Sequence, residues 1–365
     1  MNLGIFLSPG DSLENQSRVG QDVRFIEYYL KPYAEEFENV YIFSYADISY
    51  KKYPLPKNVY LVPNSNKINY YLYQFLLPFI HQKKIRKCDL FRVMQTTGGI
   101  PAVIAGIFFG KKFCATYGYD YAAFARTEGK YFQSMIIDLI IKFILARANK
   151  IIATTKINFV KLSNKFKDKV FLIPNGVDTK IFTPINKPQK ENINILNIGR
   201  LSVQKNQSLL IDSIAKSQHR NRIQLLIVGT GELKNKLLEK AQKNKVKLRI
   251  IDNIEYQKMP QVYQNADIFC LSSKIEGNPK VLIEAMACGR PIIASFIEAN
   301  KQLIKDKDNG LLCEQNSEDL ARKIDFLIKN PQQAKNYASK ARQDCVRNFD
   351  IKKLITKEIN LLKKL

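Results

Sequence analysis

Residues 276 to 289 read Glu-Gly-Asn-Pro-Lys-Val-Leu-Ile-Glu-Ala-Met-Ala-Cys-Gly. Pro279 suits the first position of a helix and Gly289 its stop. The helix between them is apolar and small-sided through Val281, Leu282, Ala285, Met286 and Ala287, so it packs closely on a sheet. Glu284 is the anomaly within it. An ionised carboxylate there loses hydration unless it faces a cleft or finds donors. A vicinal diol, as on a ribose, offers two hydroxyl donors to its two oxygens. A surface glutamate paired with a lysine is the bland alternative, and the local apolarity weighs against it. The helix start adds free N–H groups and a positive dipole end, a natural site for a diphosphate at the carboxyl edge of a parallel sheet.

A second cluster, Gly199-Arg200-Leu201-Ser202-Val203-Gln204-Lys205-Asn206, lies between an expected strand and an expected helix. Gly199 lets the backbone approach a ligand, while Arg200 and Lys205 can straddle two phosphates, one as a fork and the other as a point charge. The third, Val228-Gly229-Thr230-Gly231, is again strand-to-helix, and Asp252 ends a strand about twenty residues on. Lys234 occupies the place of a third glycine, so this reads as a tight turn beside a nucleotide and not as a dinucleotide fingerprint.

To bring these residues together the chain needs parallel strands, and its pattern supplies them. Short β-branched runs alternate with helical patterns, the signature of βαβ units. In the first half the expected strands are Leu3–Leu7, Val40–Phe43, Val59–Val62, Leu90–Met94, Phe113–Thr116, Ile151–Ala153 and Val170–Ile173. The helices between are Val23–Phe37, Tyr70–Ile80, Pro101–Phe109 and a long one near Gln133–Ala148. A tight turn at Pro174–Asp178 and a polar link from Thr183 to Gln189 mark a junction, with domains over 1–175 and 184–350. The second half restarts with strands at Ile193–Ile198, Ile223–Val228, Leu248–Ile251, Ile268–Leu271, Ile292–Ala294 and Leu311–Cys313. At 365 residues the chain exceeds one ordinary core, which agrees with two domains.

Composition removes several chemistries. Only His81 and His219 are present, far apart, which leaves no room for Ser-His-Asp or histidine-based metal catalysis. The six cysteines show no C-x-x-C pair, so they read as small buried residues of a reduced, cytosolic protein. Asp306-Lys307-Asp308 precedes Asn309-Gly310 and reads as a solvated turn, not a metal site. The N-terminus has no basic region before its apolar run, and the uncharged stretch Val93–Gly110 is too broken to span a bilayer, so neither a secretory signal nor a transmembrane helix is expected. The net charge of +25 is spread over both halves, 25 basic against 14 acidic residues in 1–183 and 33 against 19 beyond. Such an excess suits nucleic acid, an anionic membrane or phosphorylated small molecules. A Lys-, Asn- and Ile-rich background is the bland account of it.

Together these elements resemble the retaining glycosyltransferases of family 4, the group 1 transferases of the GT-B fold. The resemblance rests on Glu276 and Glu284 with seven residues between, on Ile-Gly-Arg-Leu-Ser-Val-Gln-Lys-Asn at 198–206, Val-Gly-Thr-Gly-Glu-Leu at 228–233 and Ile-Pro-Asn-Gly-Val-Asp at 173–178. It covers the second domain throughout and the first loosely. The fold it implies is two Rossmann-like domains whose parallel sheets face a central cleft, with the last helix, 351–365, returning to the first domain. It further implies that Arg200 and Lys205 clamp the donor diphosphate, that Glu284 binds the ribose, and that Glu276, Gly277, Asn278, Lys280 and Val281 face the donor sugar. Gly199, Gly229 and Gly231 line the same donor site. Catalytic roles fall to Arg200, Lys205 and Glu276, with no metal and no cofactor beyond the nucleotide-sugar co-substrate.

On the acceptor side the resemblance is thinner. The loop after the first strand, Pro9-Gly10-Asp11-Ser12, lacks the family's second glycine, and Tyr117 stands where many relatives have a histidine. Arg18, Tyr117 and Asp120 are the acceptor-side candidates. The implied activity is transfer of a sugar, with retention, to a glycan or lipid-linked acceptor in cell-surface polysaccharide or glycolipid synthesis. A GT-B epimerase and a nucleic-acid-binding protein are the alternatives; histidine poverty speaks against the first and Glu284 against the second. Aromatic residues from Tyr70 to Phe79 followed by Lys83, Lys84, Arg86 and Lys87 fit either a core helix with a basic end or a segment that touches an anionic membrane. The expected location is cytoplasmic, with the inner face of the plasma membrane as a peripheral site.

Overall fold

A computed structural model describes residues 1–18, 20–46, 53–127, 129–186 and 191–365. Its described residues form two all-parallel sheets. The first holds seven strands: β1 (Asn2–Phe6), β2 (Asn39–Phe43), β3 (Val59–Val62), β4 (Leu90–Val93), β5 (Lys112–Tyr117), β6 (Lys150–Ala153) and β7 (Val170–Leu172), in the order β3-β2-β1-β4-β5-β6-β7. The second holds six: β8 (Ile193–Ile198), β9 (Ile223–Val228), β10 (Lys247–Ile251), β11 (Ile268–Leu271), β12 (Ile292–Ser295) and β13 (Leu311–Cys313), in the order β10-β9-β8-β11-β12-β13. Strand order reverses between β1 and β4 in one sheet and between β8 and β11 in the other. At such a reversal the loops leave toward opposite faces and open a crevice at the carboxyl edge.

Two compact units result, one of Met1–Pro174 with Lys352–Leu365 and the other of Asn175–Ile351. Residues 175–183 hydrogen-bond within the second unit: the Arg342 guanidinium donates to the carbonyls of Phe182 and Thr179 at 2.7 Å each, and Val177 bridges to Asp350. The polar link expected from Thr183 to Gln189 runs into 187–190, which lie outside the described residues.

Both faces of the first sheet carry a core. Phe6, Phe43, Phe91 and Phe113 are buried on one face, and Leu3, Ile5, Ile42 and Cys114 on the other. Leu354, Ile355, Ile359 and Leu362 of the last helix, Ile351–Leu362, join that second face. Glu358 on this helix would be costly to bury alone. Its Oε1 accepts from Arg92 Nε at 2.5 Å and from the Tyr33 hydroxyl, while Arg92 Nη2 donates to Thr116 Oγ1 at 2.7 Å. This satisfied network ties the last helix to β4.

The helix expected over Val23–Phe37 contains a π-turn at Ile26–Leu30. Pro32 has no N–H for the carbonyl of Tyr28, and the wider turn absorbs that gap. Helix Tyr70–Ile80 ends at His81, whose Nε2 lies 2.8 Å from the Tyr73 hydroxyl. Burial, then Lys84, lower the His81 pKa to about 4, so the ring is neutral. All six cysteines are buried free thiols, and burial pushes Cys88, Cys114, Cys288, Cys313 and Cys345 up to about 12. No helix among the described residues is long and apolar enough to cross a membrane.

Candidate functional site

The second sheet reverses between β8 and β11, and the loops that leave those two strands carry the residues singled out above. The β8–β11 ladder ends at Leu196 opposite Phe269; one residue further, Asn197 Nδ2 reaches Cys270 O at 2.8 Å where the backbones separate. Beyond it, residues 199–206 and 272–279 are stitched together. Lys274 N donates to Gln204 O at 2.8 Å, Gln204 Nε2 to Ile275 O at 2.9 Å, and Ser272 Oγ to Lys205 O at 3.1 Å. These bonds hold Lys205 and Glu276 in one place, and Nζ of Lys205 stands 2.6 Å from Glu276 Oε1.

That pair is mostly withdrawn from water, its side chains 19% and 7% exposed. A lysine ammonium has three donors, so one bond to Glu276 leaves others to aim at an anion. Arg200 is exposed, forms no ion pair among the described residues, and has its carbonyl fixed by Gln207 Nε2 at 3.0 Å.

Gly229 and Gly231 pack closely against the Arg200 loop. A Cβ on Gly229 would stand 2.1 Å from Gly199 O, and one on Gly231 would stand 2.3 Å from Leu201 O. Only glycine lets the two turns interlock, with Leu201 N donating to Thr230 O at 2.8 Å. The 228–231 turn therefore buttresses the Arg200 loop from behind. Asp252, further along, pairs with Lys234 at 2.5 Å.

Helix Lys280–Ala287 begins one residue later than the sequence suggested. Pro279 is its extended N-cap, and its carbonyl accepts from Leu282 N at 3.1 Å. Gly277, Asn278, Lys280 and Val281 line this entry, and Asn278 O accepts from Asn175 Nδ2 at 3.3 Å. Glu284, one turn on, is 9% exposed, and its Oε2 accepts from the hydroxyl of the fully buried Tyr263 at 2.7 Å. Burial, then the Glu284 charge, push the Tyr263 hydroxyl well above its ordinary range and keep it a donor. Tyr263 is the residue that sequence reasoning missed. It lies on helix Met259–Asn265, and its pairing across 21 residues had no signal in the sequence.

Of the three acceptor-side candidates in the first unit, Tyr117 and Asp120 meet in a side-chain hydrogen bond, while Arg18 pairs elsewhere. Arg18 lies on an exposed helix and pairs with Glu14 at 2.9 Å. Tyr117 ends β5, and its buried hydroxyl is raised by burial, then by Asp120, to which it hydrogen-bonds. Asp120 caps helix Tyr121–Thr127 through Ala123 N at 2.9 Å and meets Lys161 Nζ at 3.1 Å. Burial raises its pKa, but the Ala123 N–H and Lys161 outweigh that and hold the carboxyl below its usual range. In the second unit, Asp306 Oδ1 accepts from Leu312 N at 2.8 Å and Asp308 pairs with Lys340 at 2.6 Å, so both carboxylates are engaged in holding a turn.

Comparison with known proteins finds relatives of this chain. Residues 178–344 match the family described as glycosyl transferases group 1. An uncharacterized glycosyltransferase of Haemophilus influenzae is 33% identical over 60% of this chain and 59% of its own length. The Escherichia coli UDP-Gal:alpha-D-GlcNAc-diphosphoundecaprenol alpha-1,3-galactosyltransferase is 34% identical over 52% of each chain. The chain thus spans little more than half the length of these curated relatives. Anabaena HepE, solved in complex with UDP and glucose, superposes over the whole of both chains with a TM-score of 0.79 at 19% identity. That likeness carries the fold, which is of the GT-B type.

Proposed function

We propose that this chain, whose residues 178–344 match the glycosyl transferases group 1 family, moves a sugar from a uridine-diphosphate donor to a glycan or lipid-linked acceptor with retention and without metal. The observation that carries the reading is the placement of Arg200, Lys205, Glu276 and Glu284 on loops and a helix start around one strand-order reversal. A crevice at such a reversal is where open α/β sheets hold nucleotides. Support for uridine comes from HepE, whose structure contains UDP, and for a lipid-linked acceptor from the E. coli relative's name.

In this reading Glu284, oriented by Tyr263, accepts from the ribose hydroxyls. Arg200 and Lys205 hold the diphosphate, joined by the N-terminal end of helix Lys280–Ala287. Breaking the bond between the anomeric carbon and the diphosphate oxygen leaves negative charge on that oxygen, which these cations stabilise. The departing oxygen takes the proton of the attacking acceptor hydroxyl, and the new C–O bond forms on the face just vacated. Glu276 stays beside the sugar and keeps Lys205 in position. Tyr117 and Asp120 are offered as acceptor contacts of the first unit.

Incubation with a panel of nucleotide sugars tests the reading. Release of UDP from one of them, unaffected by chelator, with a product of the donor's anomeric configuration is expected. An inverted product, or activity lost to chelator and restored by a divalent metal, would contradict it.

A further inference from the structure

A helix that covers a sheet ordinarily turns polar residues to water. Three helices of the first unit do not. Tyr70–Ile80, Ile100–Phe109 and Tyr131–Arg147 send Tyr73, Leu77, Ala102, Val103, Ile141 and Ile144 into a single core on one sheet face. Their outer sides carry many apolar residues as well. On the longest helix Tyr131, Phe132, Met135, Ile136, Leu139 and Phe143 recur at helical spacing along one exposed stripe, with Phe132 74% and Leu139 70% exposed. Tyr71, Leu72, Phe75 and Phe79 are exposed on the first helix, and Ile107 and Phe108 on the second.

The three helices are neighbours. The rings of Phe79 and Phe108 meet edge-on at 5.2 Å, and helix Ile100–Phe109 also packs beside Tyr131–Arg147. An exposed apolar area shared by three helices marks a docking surface. Its rim selects the occupant. Segments 70–87, 100–112 and 130–147 hold nine lysines and arginines and one acidic residue, Asp138. Asp138 is itself paired with Lys142 at 2.5 Å. A second copy of the chain would set this basic rim against an identical one. A layer of anionic headgroups over acyl chains matches both parts, rings and aliphatic chains below and cations above.

We infer that this face seats the first unit on an anionic membrane, with the stripe of Tyr131–Arg147 in the interface and Lys83, Lys84 and Lys87 against lipid phosphates. The surface deepens the glycosyl-transfer reading and rests on it for one thing, the presence of a lipid-linked acceptor in that membrane. It extends the basic segment after helix Tyr70–Ile80 to a face whose larger part, on Tyr131–Arg147, looks like buried helix in the sequence.

Flotation with phosphatidylcholine vesicles, with and without phosphatidylglycerol, tests it on the full chain. The wild type should float with the anionic vesicles only. Phe132→Ser/Met135→Ser/Leu139→Ser and Lys83→Glu/Lys84→Glu/Lys87→Glu should each lose about tenfold or more in binding. Both variants should hydrolyse the donor in lipid-free solution at the wild-type rate, which also reports that they are folded. Equal flotation with neutral vesicles, undiminished binding by the apolar variant, or a wild-type dimer that this variant makes monomeric would overturn the inference. Flotation by a protein that hydrolyses no nucleotide sugar would sustain the docking face and sink the glycosyl-transfer reading; hydrolysis without flotation would do the reverse.

Discussion

The two sheets share a topology, yet they use their carboxyl edges differently. In the second, the loops after β8 and β11 are bound to each other by backbone and amide contacts, and the buried pair Lys205 and Glu276 emerges from that stitching. In the first, the corresponding loops after β1 and β4 are also in close contact, since a Cβ on Gly98 would stand 2.2 Å from Leu7 O. The candidates Tyr117 and Asp120 sit one strand further along and direct their hydrogen bonds into their own loop and Lys161. A charged group held by its neighbours' backbone is pre-organised for an anion, whereas one that caps its own helix is already satisfied. The first unit's distinctive chemistry lies on its helices, where apolar side chains face outward.

The widest gap between the two edges should appear in turnover. Lys205→Ala removes a cation from the proposed diphosphate site and should cost about 2–4 kcal/mol in kcat/KM. Because the change leaves Glu276 buried without its partner, activity is compared with Lys205→Ala/Glu276→Gln, which lacks that stranded charge and should be equally slow. Asp120→Asn keeps the shape of the helix cap and should cost about 1 kcal/mol or less. Equal losses for Lys205→Ala and Asp120→Asn would erase the distinction drawn here.

A smaller effect belongs to the first unit alone. His81 titrates at about 4 in the fold against an ordinary 6.5, so the unfolded chain binds the extra proton across that interval. Stability should therefore fall as pH drops from 6.5 toward 4, and His81→Gln should flatten that part of the profile. Urea unfolding midpoints of both proteins across this range check it; parallel profiles would remove His81 as the cause.

Much of the architecture was legible in the sequence because short β-branched runs are an unambiguous signal when turn residues bound them. Every expected strand is present, shifted by at most one residue at either end, as at Lys112–Tyr117 for Phe113–Thr116. Helix Lys156–Phe166 escaped notice because its apolar period, Phe159, Leu162 and Phe166, is short and diluted by lysines and amides. Glu284 stood out as a charge among small apolar residues, while its partner Tyr263 looked like any core aromatic. Gly229 and Gly231 looked like ligand-facing turns; their tight approach to Gly199 and Leu201 is a property of two loops, invisible along one. The helix Tyr131–Arg147 is apolar around most of its circumference, a pattern that reads as buried until the fold shows which side remains uncovered.

In the proposed function the second unit holds a nucleoside diphosphate through Lys205 and Glu284. Calorimetric titration of UDP into the wild type and into Glu284→Ala tests this without any acceptor or sugar. Saturable one-to-one binding by the wild type, weakened about tenfold or more in a variant whose circular dichroism matches the wild type, is the predicted result. Equal affinity in the two proteins, or no binding by the wild type, would contradict it.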